Sequence, residues 1–210
     1  SQPSVSVADL AETFSLDQVL TARILRFANS AFYGFPQPAT TLQQAIMRLG
    51  LESLRSVLYT VSFSGFLGGR LAAYNAAKGM LWQHSLAVAL CSRRLAQCVR
   101  PQQAEEAYVA GLLHDIGKLV LNQSVKGDYA HLKPLAENAG VGLMLAERAV
   151  FGLDHASVGA AAARQWELPG TLVDAIDWHH AGVPYIVSPD LAVLVHIADV
   201  LPAFKNRIRQ

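Results

Sequence analysis

The residues through which this sequence could do chemistry are its seven histidines, which all fall at or beyond His84. His84 sits in Trp82–Gln83–His84–Ser85. His114 and Asp115 are adjacent inside GLLHDIGKLVL, with Lys118 at i+4 from the histidine and i+3 from the aspartate. His155 follows Asp154, His179 and His180 form a doublet, and Asp199 lies one helical turn after His196. Imidazole nitrogen and carboxylate oxygen together suit borderline or hard divalent cations such as Zn, Mn, Fe or Mg. No cysteine lies near these positions, which argues against a thiolate structural zinc site.

The middle group is informative because its setting is apolar. Leu112, Leu113, Ile116, Leu119, Val120 and Leu121 predict a buried helix, where an unpaired carboxylate would cost several kcal/mol. A cation is therefore expected beside Asp115: Lys118, an arginine, or a divalent metal. On a helix the offsets put His114, Asp115 and Lys118 on neighbouring faces of one stretch. His179 and His180 point about 100° apart on a helix, so both serve only if two metals, or one metal and a substrate, lie between them. Taken singly, His84 reads as a surface or hydrogen-bonded core histidine. His155 alone reads as the first residue of a helix capped by Asp154, and Asp199 as an ordinary helix carboxylate. His131 and His196 read as surface or supporting residues.

Helical punctuation dominates the elements that must position these side chains. Ser6 and Asp9 form a capping-box-like start for a short helix through Phe14, and Ser15 is expected to cap the next, with Leu16, Leu20, Ile24 and Phe27 on one face. Asn29–Thr40, holding Gly34, Pro36 and Pro38, reads as a structured loop. In it, Asn29 is expected to brace the preceding helix end and Tyr33 to pack as a lid. Thr41 opens a helix that Gly50 ends, and Leu51–Phe66 continues helically. Further helices are predicted over Met80–Val99, Gln102–Leu121, Lys126–Asn138, Val141–Phe151, Ala156–Trp166, Gly170–Ala181 and Ser188–Phe204. Alternating strand patterns are absent, so the chain reads as all-α. The glycines at 65–69 suggest a boundary between an N-terminal helical lobe, residues 1–69, and a larger bundle, residues 70–210.

Composition narrows the function classes. The apolar share is 52% and the charged share 16%, which indicates a well-buried protein rather than a disordered one. Net charge is +1, so no strong field draws nucleic acid or an anionic membrane surface. No apolar run is long enough to span a bilayer, and no signal peptide is visible. Cys91 and Cys98, about 10 Å apart if on one helix, are expected to be buried free thiols, which fits a reducing cytoplasm.

Residue by residue, the set resembles the HD superfamily of metal-dependent phosphohydrolases. His84 matches its first histidine, His114–Asp115 the HD pair, Lys118 its lysine and Asp199 its closing aspartate. His155 and the His179–His180 doublet match the further ligands of binuclear HD-GYP relatives. LTARILRFANSAFYG, LQQAIMRLGLESLR, LWQHSLAVAL, GLLHDIGKLVL and HASVGAAAARQWELP…IDWHH are closer still to HDOD, the HD-related output domain of bacterial regulators. This resemblance runs from about residue 9 to about residue 200. It implies a multi-helix HD-type bundle with a smaller N-terminal helical lobe. Met80 stands where trinuclear relatives carry a glutamate, and Ala181–Tyr185 does not match the GYP loop.

Two functions follow from the resemblance. The first is a bacterial signal-transduction output domain acting through protein contacts, with signalling proteins or a linked receiver or sensor domain as partners and a retained metal site. It implies that the chain is a fragment of a longer regulator. The second is a metal-dependent phosphohydrolase or phosphodiesterase acting on a nucleotide or cyclic dinucleotide. It would use one or two divalent ions held by His84, His114, Asp115, His155, His179, His180 and Asp199, with Asp115 and Lys118 as catalytic residues and a phosphate-containing ligand. Nucleic acid and membrane are not expected partners.

Overall fold

The computed structural model describes residues 6–124, 142–180 and 189–208. Backbone contacts divide the chain into two compact units, Ser1–Ser64 and Gly65–Gln210. The described residues form helices and turns, with one isolated antiparallel bridge between Leu71 and Ala76 and no strand among them. The fold is all-α. No helix among these residues is long and apolar enough to cross a membrane.

In the first unit, Ser6 and Asp9 make a reciprocal capping box at the start of α1, Val7–Ser15. Asp17, rather than Ser15, caps α2, Gln18–Ala28, accepting from the Val19 and Leu20 amides. The Asp17 carboxylate takes two amides there, and the Ser15 hydroxyl is spent on the Glu12 carbonyl. The Asn29 side chain bridges the loop, donating to the Ala39 carbonyl and accepting from its amide at 2.7 Å. Tyr33 stacks on Phe35. Helix α3, Leu42–Leu67, bends where Gly50 adopts φ +70°, a conformation that an L side chain rarely accepts. Ile24, Ala28, Leu42, Ala45, Ile46, Leu49, Leu54 and Val57 fill this unit's core.

The second unit is built around α5, Ala104–Leu113, whose residues are buried nearly all round. Such a helix has no solvent face and must be enclosed. Helix α4, Met80–Val99, packs along it. Around these lie α6, Ile116–Ser124, α7, Leu143–Phe151, α8, His155–Gln165, α9, Gly170–Trp178, and α10, Pro189–Ile208.

The continuous helix expected over Gln102–Leu121 is interrupted: α5 ends at Leu113 and α6 begins at Ile116, so His114 and Asp115 occupy the junction. The His114 ring donates from Nδ1 to the Gly111 carbonyl at 2.8 Å, taking the acceptor that the next turn of a continuous helix would use. Cys98 is exposed and Cys91 half-buried, because both lie toward the outer side of α4. The helix expected over 126–138, His131, and Ala181–Tyr185 lie outside the described residues.

Candidate metal centre

Five separate stretches of the second unit deliver the histidines and carboxylates to one place. His84 comes from α4, His114 and Asp115 from the α5–α6 junction, and His155 from the first turn of α8. His179 and His180 follow the end of α9, and Asp199 lies on α10. Local chemistry fixes two of these ends in the same way. His179 Nδ1 donates to the Ile176 carbonyl at 2.7 Å, as His114 does to Gly111, so each helix ends on an imidazole folded back three residues. Asp154 starts α8 by accepting from the Ser157 amide at 2.8 Å. Helix α6 crosses α8 where Gly117 meets the backbone of His155 and Gly159, a crossing that leaves no room for a Cβ.

Asp115 is the centre of the arrangement and 1% exposed. Its Oδ2 lies 3.4 Å from His114 Nε2 and 3.5 Å from His84 Nε2, and accepts from Lys118 Nζ at 2.6 Å. Its Oδ1 lies 3.3 Å from His155 Nε2 and 3.8 Å from His179 Nε2. His180 Nε2 reaches His155 Nε2 at 3.1 Å. Asp199 closes the far side, with Oδ1 3.0 Å from His84 Nε2 and Oδ2 3.9 Å from His180 Nδ1. Two groups of donor atoms result, each within 4.8 Å: Asp115 with His155, His179 and His180, and Asp115 with His84 and His114. One carboxylate thus serves both, one oxygen to each side.

Residues 1–182 match the HDOD domain family. The chain belongs to that family. It is 26% identical over 179 residues to an uncharacterized protein of Treponema pallidum (strain Nichols), covering 85% of this chain and 34% of that one. The chain therefore spans about a third of that curated relative's length. A crystal structure of an HDOD domain protein of unknown function from Geobacter sulfurreducens superposes with a TM-score of 0.83 at 29% identity, over 98% of this chain and 69% of that one. A protein of Shewanella amazonensis SB2B, described provisionally as a phosphohydrolase, superposes with a TM-score of 0.78 at 28% identity, over 99% of this chain and 72% of that one.

The electrostatics of this HDOD site set its protonation. Burial opposes ionisation of Asp115, but the charges of His114 and Lys118 outweigh it and hold the carboxyl well below its usual range. Asp199 is likewise lowered against burial, by hydrogen bonds from His114 and His84. Burial pushes His179 down to about 4, with Asp115 opposing. His180 falls to about 3, first through burial and then through His179 and His155. His114 moves the other way: burial disfavours its imidazolium, but Asp115 and Asp199 prevail and raise it. Near neutral pH the two carboxylates are charged while His179 and His180 present neutral rings.

These protonation states allow a test of whether a cation fits. His114 and His179 bond through Nδ1 to the Gly111 and Ile176 carbonyls, which can only accept, and His155 bonds through Nδ1 to the Glu147 oxygen that also accepts from its own amide. Nδ1 must therefore be the donor, and in His179, whose ring is neutral near neutral pH, the Nε2 lone pair faces Asp115. His179 Nε2 and Asp115 Oδ1 are both buried and both lack a hydrogen-bond partner. Buried acceptors facing one another are unfavourable unless a cation lies between them. The donor set fits a divalent metal.

All the expected site residues lie in this cluster: His84, His114, Asp115, Lys118, His155, His179, His180 and Asp199. His196 is placed beside it, its Nδ1 donating to the His179 carbonyl at 2.7 Å. Sequence reasoning missed Glu147 and Tyr74. Glu147 is fully buried on α7, with Oε2 accepting from His155 Nδ1 at 2.7 Å and from the His155 amide at 2.9 Å. Tyr74 donates its hydroxyl to Glu147 Oε1 at 2.9 Å. The available signal was a glutamate eight residues before His155 in an otherwise largely apolar turn.

Proposed function

We propose that this HDOD domain is a regulatory output module organised around a resident divalent-metal centre, with Asp115 shared between two ion positions. The observation that carries the reading is the pair of unpartnered buried atoms, Asp115 Oδ1 and His179 Nε2. His84 would hold one ion with His114 and Asp115. His155, His179 and His180 would hold the other with Asp115, and Asp199 would adjoin both. Because the ligands come from α4, the α5–α6 junction, α8, the end of α9 and α10, occupancy ties these elements together. It thereby sets the surface that the bundle offers to other proteins. A receiver or sensor domain in the same regulator, or a separate signalling protein, is the partner this reading implies.

A second reading, phosphoester hydrolysis at the same centre, is favoured by the site's rim. Asp115 and His114 are sealed, whereas the side chains of His84 and His180 are 34% and 28% exposed and Lys118 is partly open. Divalent ions there would supply Lewis acidity and activated water. The Lys118 ammonium would balance charge on phosphoryl oxygens. The half-open imidazoles of His84 and His180 would line the approach, and the buried histidines would keep competing water out.

Elemental analysis of protein purified without chelator is expected to give one to two divalent ions per chain, and less than about a tenth of an ion in Asp115→Ala. A wild-type chain that neither retains nor takes up Mn, Fe or Zn would overturn the metal centre. Mn-dependent cleavage of bis-p-nitrophenyl phosphate that disappears in Asp115→Ala would establish the hydrolase reading. Full metal loading without turnover leaves the module as a regulator alone.

A further inference from the structure

Glu147 and Tyr74 are the buried polar groups at this centre for which ion binding and hydrolysis have assigned no task. Glu147 is not itself placed as a ligand. Both of its oxygens are already engaged, Oε1 by the Tyr74 hydroxyl and Oε2 by two N–H groups of His155. A fully buried carboxylate is expensive, so a chain that keeps one has it paired to a defined partner. Here Tyr74 holds one oxygen, and the other is committed to a single residue, His155, gripped at both its backbone and its ring.

The grip has a chemical consequence. With Nδ1 donating to Glu147, His155 is held in the tautomer that leaves Nε2 free, and Nε2 lies 3.3 Å from Asp115 Oδ1 and 3.1 Å from His180 Nε2. Glu147 thus selects both the tautomer and the orientation that a metal-facing imidazole needs. Tyr74 steadies the other oxygen. It belongs to the 3-10 turn Ala72–Tyr74, which the Leu71–Ala76 bridge closes and which Asn122 of α6 ties down by accepting from the Ala73 amide at 3.1 Å. Burial, and then the adjacent Glu147 charge, push the Tyr74 hydroxyl far above its ordinary range, so it stays protonated and donating.

We propose that Glu147, backed by Tyr74, is a positioning residue for the His155 side of the centre, fixing the His155 tautomer so that Asp115, His155, His179 and His180 can share one divalent cation. The proposal rests on the metal-centre reading for its cation, but not for the tautomer. The two can therefore fail separately.

Long-range proton–nitrogen NMR of the metal-free chain tests the tautomer directly. Wild-type His155 is expected to carry its proton on Nδ1, and Glu147→Leu to shift it toward Nε2. Manganese titration then tests the consequence. Glu147→Leu is expected to weaken the His155-side ion by roughly 10- to 100-fold while the His84-side ion binds no more weakly than before. Glu147→Gln retains an acceptor for Nδ1 and lets the Tyr74 hydroxyl reverse to accept from the amide. It should keep the tautomer and lose about tenfold or less. A merely structural role would move thermal stability in these variants but not separate the two ions. His155 retaining Nδ1–H in Glu147→Leu, or manganese affinity unchanged in that variant, would overturn the proposal. If Glu147→Leu does not fold, a wild-type His155 that carries its proton on Nε2 rather than Nδ1 overturns it instead. A wild-type chain that binds no manganese yet shows the tautomer shift retires the cation and leaves the positioning role standing.

Discussion

Substituting Gly117 by alanine should open the crossing of α6 over α8 and so loosen the centre without replacing any ligand side chain. A Cβ built there would stand 2.6 Å from the Gly159 amide nitrogen and closer still to the His155 carbonyl oxygen. Both neighbours are backbone, so no side chain can swing aside, and the helices must part by about 1 Å. Overpacking of this kind costs typically about 1–3 kcal/mol, and backbone opposition puts this site at the upper end. At roughly 2–4 °C per kcal/mol for a unit of this size, the expected fall in Tm is about 6–12 °C. His155 rides on the displaced turn, so its 3.3 Å approach to Asp115 must lengthen, and the His155-side ion should weaken with it. Gly170→Ala is the control, since nothing lies within 4 Å of a Cβ there. Differential scanning calorimetry and manganese titration of both variants provide the assay. A Gly117→Ala chain with Tm and metal affinity matching Gly170→Ala would refute the close crossing and the claim that it positions His155.

Two further expectations follow from the same geometry. Asp154 caps α8 and accepts from Arg148 at 2.6 Å; burial opposes its ionisation, but Ser157 and Arg148 together lower its carboxyl below the usual value. A lowered folded-state value means the unfolded chain takes up the proton first as pH falls. The stability advantage of wild type over Asp154→Asn should therefore be full above about pH 4 and shrink below it, as read by urea unfolding at pH 7 and pH 3. An advantage that grows in acid would contradict this. His84→Ala and His180→Ala should each retain the opposite ion in elemental analysis, because only Asp115 belongs to both donor groups. Loss of all metal in both variants would mean a single merged site.

The sequence made the ligands legible for a physical reason. Histidines and an aspartate set within apolar runs are costly unless they are used, and their order over His84–Asp199 matches one family. It hid the break at the HD pair. Residues from Ala107 to Leu113, which lead into the pair, are apolar on every side, so periodicity carries no phase, and the deciding bond is a side chain to the backbone three residues earlier. The signal for Glu147 was masked for the opposite reason. It stands beside Arg148, whose side chain is 55% exposed, and a Glu–Arg pair on a short helix ordinarily means a solvated face. Only the fold, bringing Tyr74 across 73 residues of sequence, turns that glutamate inward. Cys98 misled because an apolar residue type on a core helix need not lie on its core face.

The break at the HD pair is also what allows one carboxylate to serve two sides. On a continuous helix, His114 and Asp115 would point about 100° apart, and Asp115 would present itself to one neighbouring helix only. At the junction its two oxygens divide: Oδ2 stays with His114, His84 and Lys118, while Oδ1 turns to the elements bearing His155 and His179. Two ions held there would not be independent, since each would draw charge from the same carboxylate. Filling one should make the other harder to fill unless Lys118 is displaced from Oδ2 by the cation, which removes a competing positive charge. A regulatory role would reside in that exchange. An ion that bound equally well with Lys118 engaged or released could shift nothing, whereas one that binds only when Lys118 has left couples occupancy to a side chain at the site's open edge.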